Sequence, residues 1–279
     1  MQQKLIAIDL DGTTLNNKSQ LSRLTIQTLQ LLSEQGHLVS IVTGRPFRNS
    51  SDIYRQLNIP APMVNFNGAL CHFPGQPNWL PAYHQDLDRE IAFELFANQE
   101  KLEIELLMAE GRDRLFTSSM QLPDSPYYPF DLAKVHTLSR ESLTYNPTAL
   151  TIFSAEEKQA IIEQNINNSY GDFVSVRTWG GELPVLEVVH KGINKAVGVQ
   201  KIADFYRIPQ ADIIAFGDEE NDLEMLEFAG IGVAMKNGRS SVKAIANEET
   251  EFSNDEDGLA RHLIKHFSLN IPVAESLNY

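Results

Sequence analysis

The sequence predicts an α/β protein in which a parallel-sheet core is interrupted by an inserted α+β domain. Short apolar runs alternate with amphipathic segments through residues 1–70, the mark of repeated strand–helix units. The same rhythm returns after residue 190. Between residues 84 and 186 it gives way to one helix followed by two strands, twice over. The expected division is a discontinuous core, 1–83 with 187–279, and an insert over 84–186.

In chain order, "KLIAIDL" reads as a buried strand. "SRLTIQTLQLLSEQG" reads as a helix capped by Ser22 and stopped by Gly36, with Leu24, Leu29, Leu31 and Leu32 as its apolar face. "HLVSIVTGRP" is a second strand ending in a turn, with Pro46 at a first helical position, and "APMVNFNGA" a third running into a Gly turn. In the insert, "REIAFELFANQEKLEIELLMAEGRDRLFTS" reads helix, strand, strand, and the segment from "TALTIF" to "VLEVV" reads strand, helix, strand, strand. The Pro and Gly clusters "FPGQPNWLP" and "QLPDSPYYPFD" mark its edges and loops. Later, "GINKAVGVQKIADFYRI" is helical, "ADIIAFGDE" a strand, "ENDLEMLEFAG" a helix and "IGVAM" a strand. "NGRSSVKAIANEE" and "DGLARHLIKHF" close the core as helices.

Composition narrows the function. Of 279 residues, 42% are hydrophobic and 22% charged, ordinary globular usage. The 23 Lys and Arg are scattered against 37 Asp and Glu, for a formal charge of -14, which argues against nucleic acid as a partner. Cys71 is the only cysteine, so no intrachain disulfide can form. The first residues reach a carboxylate before any signal-like apolar stretch develops, and no run approaches the ~20 residues of a membrane span. A soluble, reduced, cytoplasmic protein is expected.

Several positions at strand ends carry chemistry-bearing residues, and open parallel sheets gather ligands outside the carboxyl ends of their strands. Asp9 and Asp11 stand two apart, so a continuing strand would point both into one cleft; an Asp-Gly turn is the bland alternative. "GDEENDLEM" sets Asp218 at a strand end, with Asn221 and Asp222 in the first turn of the next helix. Hard oxygens there suit Mg2+, although acids also decorate helix N-termini. Thr43 and Gly44 of "VTGRP" offer a hydroxyl and backbone N–H groups to an anion. Lys195 lies on an early helical turn, and Lys191 competes with it for any cationic role.

Together these segments resemble the haloacid dehalogenase-like phosphohydrolases of the Cof-type branch. The resemblance spans the whole chain: "DLDGTTL", "VTGR", "KGINKA" and "GDEENDLEM" for the four motifs, and "FNGA" for a segment typical of the branch. It departs where Ala196, rather than a glycine, follows Lys195, and Glu219 and Glu220 make the fourth motif unusually acidic. The resemblance implies a Rossmann-like core under an α+β cap, and a Mg2+-dependent phosphatase of a small phosphorylated metabolite. By the same resemblance Asp9 is the nucleophile and Asp11 the general acid and base. Mg2+ is held by Asp9, the Asp11 carbonyl and Asp218, with Asp222 on a metal water or on Asp218. Thr43, Gly44, Lys195 and Asn221 bind the phosphoryl group, with Arg45 and Asn67 as further contributors. Cap candidates for substrate contact are Trp179, Gly180, Gly181, Arg112, Arg114, His136 and Glu187. Two rivals are a phosphotransferase or mutase on the same scaffold and a sensor that binds a phosphometabolite without turnover.

Overall fold

The computed structural model describes residues 2–123, 131–178 and 185–271. The chain starts with β1 (Leu5–Ile8), α1 (Arg23–Glu34), β2 (Leu38–Ile41) and α2 (Phe47–Leu57). All four residues of β1 are buried, because this strand lies between two parallel neighbours. Ser22 caps α1 by accepting from the Thr25 amide at 3.0 Å. The helix buries Thr25, Thr28, Leu29 and Leu32, and Leu24 and Leu31 are only half-buried. Threonine can replace leucine in that stripe because the Thr28 hydroxyl is returned to the Leu24 carbonyl at 2.8 Å. Pro46 stands one residue earlier than expected, as the extended N-cap of α2.

The third strand also differs from expectation. β3 (Met63–Asn65) touches the parallel sheet through a single bridge, Val42 to Val64, and pairs instead with β4 (Leu70–His72), which pairs with β5 (Tyr83–His84). The reversal is made at Phe66–Gly68, where Phe66, Asn67 and Gly68 all have positive φ. A Cβ on Gly68 would come within 2.1 Å of the Asn194 carbonyl, so this turn is pressed against the segment leading into Lys195.

The insert comprises α3 (Arg89–Ala97), β6 (Leu106–Glu110), β7 (Leu115–Thr117), β8 (Val135–Thr137), β9 (Ala149–Phe153), α4 (Glu156–Tyr170), β10 (Val174–Thr178) and β11 (Val185–His190). Its six strands form one sheet in the order β10-β11-β9-β6-β7-β8, antiparallel except for the β7–β8 pair. β8 escapes the sequence pattern because three residues are too few to show alternation. β11 pairs with β10 and β9 over its length, so "VLEVV" belongs to this sheet and does not re-enter the parallel one. Ile91, Phe93, Leu107, Leu150, Ile162 and Leu186 are among the residues of its own apolar core.

The return segment supplies α5 (Lys195–Tyr206), β12 (Ile213–Gly217), α6 (Leu223–Phe228), β13 (Ile231–Ala234), α7 (Ser240–Ile245), β14 (Glu248–Glu249) and α8 (Gly258–Phe267). The parallel sheet has the order β14-β13-β12-β1-β2. β14 occupies residues expected to be helical: the helix stops at Ile245, and two exposed glutamates pair with β13 at the sheet edge. Strands β1, β2 and β12 thus lie side by side, and the loops after them open at one end. Among the described residues, no helix is long and apolar enough to cross a membrane.

Replacing Ser22 with alanine removes the cap of α1 and should lower stability by about 1 kcal/mol, whereas Ser22→Asp should hold it, as read by urea unfolding.

Candidate active site

β1 ends at Ile8, and Asp9 continues it in extended conformation, its amide donating to the Phe216 carbonyl at 3.2 Å. The strand does not carry on to Asp11. Residues Leu10–Thr14 form a tight turn in which Gly12 takes a φ of +73°. A Cβ on Gly12 would approach Asp218 Oδ2 to 2.1 Å, so glycine is required both for the turn and for the approach of β12. Asp9 and Asp11 therefore part company. Asp9 is buried, while Asp11 is partly exposed and held by Arg45, whose Nε donates to it at 2.6 Å and whose second guanidinium nitrogen takes the other oxygen.

Lys195 is the centre of the buried cluster. It is fully buried at the first residue of α5, where the Asn194 side chain caps the helix by accepting from the Val197 amide. Its Nζ donates to Asp9 Oδ1 and to Asp222 Oδ1, each at 2.6 Å. Asp222 has no exposed surface; its Oδ2 accepts from the backbone N–H groups of Asp218 (3.0 Å) and Glu219 (3.1 Å). One carboxylate thus fixes both the lysine and the turn that carries Asp218. Asp218 in turn accepts from the Thr13 hydroxyl at 2.7 Å. Lys191, the competitor, is exposed and donates to the Gly171 carbonyl at 2.5 Å.

Asp9, Asp218 and Asp222 present one carboxylate oxygen each within 4.8 Å of one another. Burial pushes the Asp9 carboxyl up to about 7, with Asp222 and Asp11 adding to it and Lys195 opposing. Asp218 is likewise raised, first by burial, then by Asp9 and Asp222. Burial opposes the Lys195 charge, but Asp222 and Asp9 outweigh it and hold the ammonium above its ordinary value. Lysine therefore stays charged, and the pocket still contains more carboxylate than cation. A divalent metal ion would supply the missing charge, and a donor set made of carboxylates suits Mg2+.

The other expected residues fall beside this cluster. Thr43 is buried; its Oγ1 accepts from the Arg45 amide at 3.1 Å, which leaves the hydroxyl proton for an anion. Gly44 faces the Asn67 amide, since a Cβ there would lie 3.0 Å from Asn67 Oδ1. That same oxygen accepts from Asn221 Nδ2 at 3.0 Å, and Asn221 Oδ1 is buried with no hydrogen-bond partner among the described residues. Asn67 Nδ2 donates at 2.6 Å to Glu187 of the insert, which stands opposite Arg177 across β10 and β11. Burial pushes Glu187 up to about 7, against the Asn67 hydrogen bond and Arg177.

Of the remaining cap candidates, Arg112 and Arg114 are exposed, and His136 packs on Phe116 with ring centroids 5.6 Å apart. Trp179, Gly180 and Gly181 lie outside the described residues. Sequence reasoning missed three contacts. Thr13 was visible as a hydroxyl after Gly12, but nothing in one chain says which acid it serves. Arg48 reaches across to Glu110 and to the Gly111 carbonyl (3.2 Å), and Arg177 meets Glu224 at 2.6 Å. Pairs separated by 62 and 47 positions leave no local signal.

A family model described as haloacid dehalogenase-like hydrolase matches residues 6–263. The chain belongs to this family. The 5-amino-6-(5-phospho-D-ribitylamino)uracil phosphatase YitU of Bacillus subtilis is 41% identical over 271 residues, which cover 95% of this chain and 98% of that one. A haloacid dehalogenase-like hydrolase of Bacteroides thetaiotaomicron superposes with a TM-score of 0.79 at 25% identity, covering 95% of this chain and 100% of the other. The sugar phosphatase BT4131 of haloacid dehalogenase subclass IIB gives 0.76 at 25% identity, with coverage of 95% and 99%. Like these relatives, this haloacid dehalogenase-like protein is a phosphoric monoester hydrolase, with a parallel-sheet core and an antiparallel cap.

Two expectations follow for the ionised groups. Lys195→Met leaves three crowded carboxylates without their ammonium and should lower stability by about 3–5 kcal/mol in metal-free urea unfolding. Glu187 is an acid raised on folding, so its contribution is full below its unfolded value near 4.5 and is lost as pH rises to about 7. Glu187→Gln should therefore gain on the wild type between pH 4.5 and about 7 and hold that gain above, in thermal unfolding across pH.

Proposed function

We propose that this hydrolase cleaves a small phosphate monoester by a Mg2+-dependent, two-step route through an aspartyl phosphate on Asp9. The observation that carries the proposal is the buried Asp9–Lys195–Asp222 array at the open end of the parallel sheet, with Asp218 beside it. A buried carboxylate, a fixed ammonium and further unmatched carboxylate at one point support a nucleophile beside a metal ion. Asp9 Oδ1 is engaged by Lys195, and among the described residues Oδ2 accepts no hydrogen bond, so Oδ2 is the oxygen that attacks phosphorus.

As the Asp9 Oδ2–phosphorus bond forms, the bond to the leaving oxygen breaks and Asp11 gives that oxygen a proton. Asp11 then takes a proton from the water that attacks the phosphoryl group, and phosphate leaves with Asp9 regenerated. Arg45 grips both Asp11 oxygens in this state, so substrate entry has to draw the guanidinium away and onto the substrate. Lys195 uses two of its three N–H groups on Asp9 and Asp222 and turns the third to a phosphoryl oxygen. Thr43 donates its free hydroxyl proton, with the Gly44 amide beside it. Asn221 and Asn67 brace the far side.

Asp9, Asp218 and the Asp11 carbonyl would hold Mg2+, with Asp222 anchoring the Asp218 turn from behind; when bound, the ion neutralises charge where carboxylate meets phosphate. Asp222 is thus a positioning residue for Lys195 and Asp218.

For the substrate, we take the lead from the relative that is 41% identical over 95% of this chain and is named for a phosphorylated ribitylamino-pyrimidine. A primary phosphate at the end of a polyhydroxylated chain is the class proposed. The leaving group would be screened between the Asp11 turn and the insert, where Arg48, Glu110 and Glu187 line the seam with buried polar groups.

Phosphate release from a panel of sugar, polyol and ribityl phosphates tests this. Turnover should require Mg2+, stop with chelator, and fall by about a thousandfold or more in Asp9→Asn. Asp11→Asn should bind the best substrate and fail to turn it over. Alcohol phosphates formed at the expense of free phosphate would instead identify a transferase.

A further inference from the structure

Far from Asp9 in function, a second group of ligating side chains gathers where the last helix meets the sheet edge. His262 and His266 are one turn apart on α8 and so share a face, with rings stacked at 6.4 Å and an interplanar angle of 18°. Glu248 of β14 reaches them from the strand: its Oε2 lies 3.1 Å from His262 Nε2. One ligand atom from each of the three residues falls within 4.8 Å of the others. They border a cavity of about 490 Å3 that Glu249, Phe252 and Lys265 also line. None of these residues takes part in the phosphoryl chemistry derived above.

A simple ion pair would account for Glu248 and His262, but not for His266. Two imidazoles face to face with a carboxylate are poor company when protonated and good company around a metal. Of the neighbouring cations, the Arg261 guanidinium sits over the Phe252 ring at 4.7 Å and its Nε donates to the Glu256 carbonyl, Lys243 pairs with Glu249 at 2.9 Å, and the exposed Lys265 borders the same cavity. We propose that Glu248, His262 and His266 form a binding site for a zinc-like transition-metal ion, which ties β14 to α8.

Two imidazole nitrogens and one carboxylate oxygen form a borderline donor set that selects zinc and its neighbours over magnesium. Ligands around tetrahedral zinc stand about 3.4 Å apart, so closing from 4.8 Å asks for small rotations, which the exposed Glu248 and His266 are free to make. The fourth position faces the cavity and takes water or a small anion. In this arrangement the ion joins an edge strand of two residues to a helix ten residues later in the chain.

Zinc titration calorimetry of the untagged chain in excess Mg2+, alongside His266→Ala and Glu248→Gln, tests the proposal. Both substitutions fall on exposed side chains, so folding and phosphatase activity in Mg2+ should be unchanged. The wild type should bind one more equivalent of Zn2+ than either variant, or bind it at least about tenfold more tightly, and Co2+ should show a visible absorption band that both variants lose. The difference between wild type and variants isolates this site whatever the Asp9 cluster binds. Equal zinc stoichiometry and affinity in all three proteins, or no zinc binding in the wild type, would overturn it.

Discussion

Everything at the mouth of the parallel sheet is arranged around one buried ammonium. Lys195 has no exposed surface, and the two carboxylates it touches come from opposite ends of the chain, Asp9 after β1 and Asp222 after β12. A buried ion pair of this kind contributes little net stability, since desolvation offsets most of the attraction. What it contributes is geometry. Asp222 is spent on Lys195 and on two backbone N–H groups, which leaves Asp218 as the acid of that turn whose position is set but whose charge is not matched. The lysine therefore organises a site that is short of positive charge by design of its neighbours, and the turn at Gly12 brings the two halves within contact.

The insert meets this site through polar contacts and one small apolar cluster, apart from the larger apolar cores of the two sheets. Asn67 connects Asn221 to Glu187, Arg48 grips Glu110, and Arg177 holds Glu224. A smaller apolar cluster, with Phe66, Leu70, Val189 and Ile193, lies where the chain passes from one sheet to the other. Polar contacts exchange with water at small net change in free energy, whereas the apolar cluster resists opening.

Much of this was legible in the amino-acid sequence because the relevant signals are local. Apolar runs of four or five residues gave the central strands, Ser22 and Gly36 bounded the first helix, and the acids expected at strand ends, Asp9, Asp218 and Asp222, do come together. Errors arose where a local pattern had more than one three-dimensional outcome. Asp9 and Asp11 obey strand spacing, yet the strand stops before both, and the turn sends one to Lys195 and the other to Arg45. The expected division at residue 187 cuts through β11, which pairs antiparallel within the insert sheet, and "ANEE" follows a helix already closed at Ile245. Contacts such as Arg48 with Glu110 depend on how two sheets face each other, which no spacing along one chain encodes.

The short strand β14 has a further consequence. A parallel sheet presents unpaired N–H and C=O groups at its outer edge, a template on which another chain can continue the ladder. Here that edge is two residues long, and both are exposed glutamates. A neighbouring molecule offering a strand would find almost no ladder to extend and a pair of negative charges to bury in doing so. The sheet that carries the candidate active site thereby offers little to a pairing strand on this side.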